Sequence, residues 1–235
     1  MTTQLSGGSR ARLSRSRVLA AAVELADAEG IDALTMRGLA QRLGVEPMSL
    51  YHHVANKAAL LDGVVEMVVE EILADVTAIE TAAPQDDWRT ALRRRVLAAR
   101  EVLLRHRWAP ELIARSEVFG PGVARYFDGV LAILLRGGFS YDLAHHAMHA
   151  LGSRAIGFSQ ELFQPSDPGD DLSEEMLEQM AEQLPHLVGM MGAIAHADDG
   201  TTLGWCDDQA EFEFGVDVLL EGLERARRAQ GPRRP

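Results

Sequence analysis

Apolar residues recur at spacings of three and four along almost the whole of this 235-residue chain, and that period commits it to helices. Few stretches alternate as a half-buried strand would, and Val/Ile/Thr runs of strand type are missing. The expected fold class is therefore all-α. Ser14 can cap a first helix reaching about Glu29, with Val18, Ala22, Leu25 and Ala28 as its buried stripe and Gly30 as its stop. A second helix is expected from Thr35 to Leu43, stopped by Gly44. Pro47 suits the first turn of a third that ends near Val54, because its missing N–H would have no partner there. Asn56 is the expected N-cap of a long fourth helix carrying Leu60, Leu61, Val64, Met67, Val68, Ile72 and Val76.

Beyond the break at Thr81 to Pro84, Asp86 or Asp87 can cap a helix running from Trp88 to His106. Its arginines (Arg89, Arg93, Arg94, Arg100, Arg105) are expected on a solvated basic side. Pro110 and Gly120-Pro121 punctuate a short piece around Leu112 to Glu117, and a helix follows to Arg136. The segment from Ser140 to Phe163 is apolar on more than one side, the mark of a helix buried twice. QPSDPGDDL, from Gln164 to Leu172, is a loop by composition. Helices are expected from Ser173 to Leu184 and from His186 to Ala197, then a loop from Asp198 to Trp205. The last helix, Asp207 to Ala229, repeats Phe212, Val216, Leu219, Leu223 and Ala226 as the seam of a bundle. Its outer side carries the i,i+4 pairs Glu221–Arg225 and Glu224–Arg228, worth ~0.3 kcal/mol each.

With 47% hydrophobic and 25% charged residues the chain is not disordered, and its single cysteine cannot make an internal disulfide, which fits a reducing compartment. The longest charge-free run, Gln183 to Ala197, has fifteen residues against the ~20 that a membrane span needs. Met1 to Gly8 is polar and no apolar signal-peptide region follows, so a cytoplasmic location with no membrane partner is expected. No HExxH, Ser-His-Asp signature, phosphate-binding glycine loop or dinucleotide fingerprint is present, so neither an enzyme nor a cofactor is expected. The net charge of −12 conceals an asymmetry: residues 1–60 carry +2 and the remainder −14. That division suits a small module that meets a polyanion and a body that does not.

The stretch from Ile31 to Lys57, IDALTMRGLAQRLGVEPMSLYHHVANK, sets two short helices on either side of Gly44-Val45-Glu46. The second holds Leu50 and Val54 inward, leaving Met48, Ser49, Tyr51 and His52 outward. This is a helix-turn-helix layout, in which the second helix enters the major groove of DNA. By periodicity alone, the competing reading of scattered surface residues stays open.

VLAAAVELADAEG, ALTMRGLAQRLGV and EPMSLYHHVANKAALLD, lying between Ser14 and about Asp62, together resemble the tetracycline-repressor (TetR) family of bacterial regulators. Further on, ALGSRAIGF (Ala150 to Phe158) and FEFGVDVLLEGLE (Phe212 to Glu224) look like the dimer-forming helices of the tetracycline-repressor branch. The resemblance implies a three-helix DNA-binding domain at residues 10–60 and a helical sensing and dimerisation domain at 61–230. It further implies a homodimeric repressor on a pseudo-palindromic, double-stranded operator, released by a small-molecule inducer. Thr35 would cap the second helix and offer its hydroxyl to a phosphate, and Arg37 lies where the family often contacts DNA. Pro47 opens the recognition segment, where Ser49 and Tyr51 have hydroxyls for phosphate. Lys57 places a point charge at a helix start that already favours anions. Met48 against a thymine methyl and His52 by hydrogen bonding would read base edges, while His53 packs inward or reaches a phosphate. Glu46 departs from the glutamine of the tetracycline repressors; a carboxylate accepts from cytosine N4 and is repelled by phosphate, so a different operator is expected. Arg10, Arg12, Arg15 and Arg17 would form an arm along the DNA, with a disordered lead as the alternative for the first two.

Ligand-binding candidates in the body are Trp88, His106, Phe119, Tyr126, Phe127, His145, His149, Phe158, Met176, Met180, Met190 and Met191, several of which must be plain core. Tetracycline as its magnesium complex is not expected. The histidine its repressors use late in the fourth helix has no counterpart between Asn56 and Thr81, and His106, aligned with a second metal-side histidine, does not make the site alone. The inducer's identity stays open. Two alternatives stand beside the sensor: a metal-responsive regulator or metal-dependent enzyme using His145 and His149 with Glu161 or Glu175, and Cys206 as a redox switch.

Overall fold

The computed structural model describes residues 12–83, 87–115, 120–157, 180–194 and 208–230, with backbone alone for 155–157, 191–194 and 208. No strand occurs among the described residues. The helices in chain order are α1 (Arg15–Glu29), α2 (Met36–Leu43), α3 (Pro47–Leu50), α4 (Lys57–Ala82), α5 (Trp88–Arg105), α6 (Ala109–Arg115), α7 (Pro121–Arg136), α8 (Tyr141–Gly157), α9 (Pro185–Ile194) and α10 (Asp208–Ala229), with a single 3-10 turn at Ile31–Ala33.

Short-range chemistry sets most of the boundaries. Ser14 Oγ accepts from the Arg17 N–H at 3.2 Å, Thr35 Oγ1 from Gly38 at 3.0 Å, and Asn56 Oδ1 from Ala59 at 2.8 Å. Of the two aspartates proposed for α5, Asp87 is the cap, its Oδ1 accepting from Arg89 at 2.9 Å and Thr90 at 3.2 Å. Each such cap is worth about 1 kcal/mol. Gly44 ends α2 at φ 66, a left-handed conformation costly for any residue with a Cβ, and its N–H turns back to the last-turn carbonyls.

Three boundaries differ from the sequence reading. α3 is one turn long, and Tyr51 to His53 continue as a turn closed by His53 and Val54 N–H groups on the Leu50 carbonyl. α6 begins at Ala109, taking Pro110 into its first turn, where proline costs nothing. α9 begins at Pro185 for the same reason. The helix expected from Ser173 is described only from Met180, and both expected loops, at 164–172 and 198–205, lie outside the described residues.

Two apolar cores result. The first gathers Val18, Ala22 and Leu25 of α1, Leu39 and Leu50 of α2 and α3, and Leu60, Val64, Val68 and Ile72 of α4, and it extends to Val102, Trp108 and Ala109. The second joins α5, α7, α8 and α10 through Leu92, Val130, Ile133, Leu134, Phe139, Ala147, Phe212 and Val216. Trp88 meets Phe139 edge to face at 4.7 Å, and a Cβ on Gly137 would lie 2.7 Å from the indole, so the turn after α7 can close only on glycine. α4 is one unbroken helix of 26 residues and belongs to both parts; the division expected between residues 60 and 61 falls inside its first turns.

The arginines of α5 do not form one solvated side: Arg94 and Arg105 are exposed, Arg89 and Arg93 are half-buried, and Arg100 is buried. Arg89 pairs with Glu221 at 3.0 Å, and Arg93 with Glu213 and Asp217 at 2.7 Å each, across to α10. Arg105 reaches Glu71 at 2.6 Å on α4, while Arg95 and Arg100 are buried. The sign pattern of one helix cannot show that acid-bearing helices face it. Nor is Glu224 an outer residue: it is buried, held by Arg227 and Arg228 at 2.7 Å each, while the expected Glu221–Arg225 pair forms at 3.5 Å. Hydrogen bonds from Arg227 above all, then Arg228, lower the Glu224 carboxyl to about 2. A depressed carboxylate stabilises the fold above its unfolded value and loses that contribution as pH falls toward the folded one. In equilibrium unfolding between about pH 4.5 and 2 the wild type should lose stability more steeply than Glu224→Gln; parallel profiles would refute the assignment.

Candidate functional site

The helix-turn-helix presents one outward face. Met48 is 72% and Tyr51 45% exposed, and Thr35, Arg37, Glu46, His52 and Lys57 are exposed with them. Pro47, Ser49 and His53 are half-buried, and Leu50 and Val54 are buried beneath. The inward pair thus anchors the segment in the first core and fixes which side chains point away from it. Thr35 Oγ1 is already an acceptor in the α2 cap, which leaves its hydroxyl hydrogen free to donate. Arg12 and Arg15 are exposed just before and within the start of α1, and Arg10 lies outside the described residues.

In the body, a cavity of ≈ 110 Å³ lies between α4, α5, α6, α7 and α8. Val69, Ile72, Leu92, Val96, Ala99, Leu103, Pro110, Ile113, Val123, Tyr126, Phe127, Val130, Met148, Leu151 and Gly152 line it, and none of these carries a charge. The one side-chain hydrogen-bonding group in this lining is the Tyr126 hydroxyl, and burial pushes its pKa up to about 12, so it remains a neutral donor. Arg95 fixes that ring from behind. Its guanidinium stands 4.7 Å from the ring centroid, donates to the Tyr126 carbonyl at 2.9 Å, and pairs with Glu80 at 2.6 Å.

Of the ligand candidates, Tyr126 and Phe127 reach the cavity. Trp88 packs on Phe139 instead. His106 is held away from the cavity by Asp27 and Glu71. His145 and His149 are exposed on α8 with their rings edge to face at 4.5 Å, and neither they nor Met180 and Met190 are among the lining residues. Phe119, Phe158, Met176, Glu161, Glu175 and Cys206 fall outside the described residues, and of Met191 only the backbone is described. Among the described residues no third ligating group joins His145 and His149, and the two carboxylates named for that role, Glu161 and Glu175, lie outside them. Sequence reasoning missed the aliphatic wall, because a leucine or valine facing a cavity has the same period as one facing a neighbour. The signal available was the two-sided apolarity of α8, which contributes Met148, Leu151 and Gly152.

The stripe Phe212, Val216, Leu223 on α10, expected as the bundle seam, is buried within the protomer. A second stripe on the same helix points outward, with Phe214 67% and Val218 54% exposed; Tyr141, at the start of α8 by the other end of α10, is 74% exposed. No described helix is long and apolar enough to cross a membrane.

Residues 18–64 match the family described as bacterial regulatory proteins, tetR family, and residues 80–227 match the tetracyclin repressor-like C-terminal domain. The tetracycline repressor protein class C of Escherichia coli is 30% identical over 92% of this chain and 93% of its own. A possible TetR family transcriptional regulator from Streptomyces coelicolor A3(2) superposes with a TM-score of 0.71 at 30% identity, over 91% of this chain and all of that one. ActR from the same organism, in complex with actinorhodin, gives 0.68 at 25% identity, over 92% and 99%.

Proposed function

The chain belongs to the TetR family of bacterial transcriptional regulators, and from that membership we propose that it reads a pseudo-palindromic operator as a homodimer and is released by an uncharged, largely apolar inducer. Its relatives are transcriptional repressors. Residues 10–60, continued into α4, serve as the DNA-binding domain, and the rest as the sensing and dimerisation domain. Thr35, Arg37, Ser49, Tyr51 and Lys57 hold phosphates, and Met48, His52 and Glu46, at the head of the segment opened by Pro47, face base edges. The outward apolar stripe of α10, with Tyr141, is the surface that a second copy covers. Two copies are needed because one small module contacts few phosphates, whereas a twofold pair places two recognition segments one helical turn apart.

The observation that carries the ligand class is the uncharged lining of the cavity. Among the described residues that line it, a charged ligand would meet no counter-ion and a ligand held through a metal would meet no carboxylate, histidine or cysteine. The cavity volume approaches the ~150 Å³ of an engineered apolar cavity that takes benzene, which points to compounds built on an aromatic ring, with Tyr126 donating to a single acceptor. Thermal denaturation with phenol, with benzoate, and with each in the presence of a chelator tests this reading. The expected result is stabilisation by about 2 °C or more with the neutral compound alone, unaffected by chelation and accompanied by weaker operator binding. Stabilisation that requires a divalent metal, or that the carboxylate matches, would count against it.

A further inference from the structure

His106 follows the last turn of α5, and its ring, 7% exposed, is clasped between carboxylates of two different helices. Nδ1 lies 2.8 Å from Oδ1 of Asp27 in α1, and Nε2 lies 3.2 Å from Oε2 of Glu71 in α4. The same Asp27 oxygen accepts from the indole N–H of Trp108 at 2.7 Å. An ionised carboxylate only accepts, so each ring nitrogen that faces one must carry a hydrogen, and an imidazole with hydrogens on both is the cation. The charged groups around the ring are Asp27 from α1, Glu71 and Asp75 from α4, and Arg105 from α5, which spans Glu71 at 2.6 Å and Asp75 at 3.3 Å. Burial acts to raise the Glu71 carboxyl, but the Arg105 and His106 hydrogen bonds outweigh it and hold that group below the ordinary value. Arg105 thus serves the α4 carboxylates. Among the described residues the side chains that meet the Asp27 carboxylate are those of His106 and Trp108.

We propose that His106 is a latch between the helix-turn-helix head and the wall of the ligand cavity, through which operator affinity responds to cavity occupancy. The inference rests on the reading of the cavity as the inducer's site. Asp27 sits in the last turn of α1, whose neighbours Leu25 and Ala26 are buried in the head core. On the other side the Ala109 N–H bonds the His106 carbonyl at 2.8 Å and opens α6, whose Pro110 and Ile113 line the cavity. A group that displaces α6 therefore draws Trp108 and His106 away from Asp27, and α1 loses two donors in one movement.

The test is a double-mutant cycle on an operator duplex selected by the wild-type protein from random DNA, read by fluorescence anisotropy. Ile113→Trp adds bulk to the cavity on α6. Asp27→Asn keeps an oxygen for Trp108 but removes the charge that His106 answers. Ile113→Trp should weaken operator binding about tenfold in the wild-type background and by less than about threefold beside Asp27→Asn. Equal losses in both backgrounds overturn the latch while leaving the cavity reading in place. No loss in either removes the cavity reading and the latch with it. If Asp27→Asn does not fold, His106→Gln takes its place in the same cycle, with the same expected shortfall.

Discussion

Replacing Tyr51 and Lys57 together with alanine is expected to weaken operator binding by about a hundredfold and leave the dimer intact. Both side chains are exposed and neither belongs to a core, so the change removes contacts to DNA without removing anything that holds the head together. Tyr51 is 45% exposed immediately after α3, and Lys57 opens α4, where the helix end adds to its attraction for phosphate. In a twofold complex each substitution counts twice. The dependence of affinity on salt should therefore flatten by about two in log–log slope from Lys57 alone. Sedimentation equilibrium checks the dimer, and anisotropy over a range of salt concentrations reads the slope. His52→Ala in the same assay should shift the preferred sequence more than the affinity. Unchanged binding and slope in the double variant would remove this face from the DNA and the helix-turn-helix assignment with it.

The largest effect on stability should come from Phe212→Ala, about 3–5 kcal/mol. The ring is fully buried where α10 meets α5 and α8, with the Arg100 guanidinium 4.2 Å and that of Arg154 5.5 Å from its centroid. Truncation leaves a cavity under two cations and removes the face they rest on. Arg100 is itself buried, with its Nε bound to Gln209 Oε1 at 3.0 Å, so it cannot turn to water to compensate. Phe214→Ala, two residues along and 67% exposed, should leave the protomer's stability nearly unchanged and weaken self-association instead. Urea unfolding at several protein concentrations separates the two. If both variants lose protomer stability alike, the division of α10 into an inner and an outer face is wrong.

The head was legible in the sequence because its signals are local. Ser14, Thr35 and Asn56 each cap the helix they precede, Gly44 supplies the left-handed turn, and Leu50 against Met48 and Tyr51 settles which side faces out within one turn of chain. The body was legible as helices and not as contacts. Arg93 finds its carboxylates 120 and 124 residues away, and His106 finds Asp27 79 residues back, separations over which no periodic pattern carries information. His106 consequently looked like one more pocket residue, though its ring joins α1 to α4. The stripe of α10 misled for a related reason. Phe212 and Phe214 are equally apolar, and only the neighbouring helices determine which of the two a second copy would meet.

The continuity of α4 has a mechanical consequence. A rod of 26 residues is about 39 Å long, rooted among the head's apolar side chains at one end and flanked by the cavity wall toward the other. Tilting it by about 5° around a pivot near Ala82 would carry Lys57 roughly 3 Å sideways. In a pair of such molecules the two displacements would add, so a displacement of about 1–2 Å at Val69 or Ile72 could put both recognition segments out of step with the pitch of the double helix.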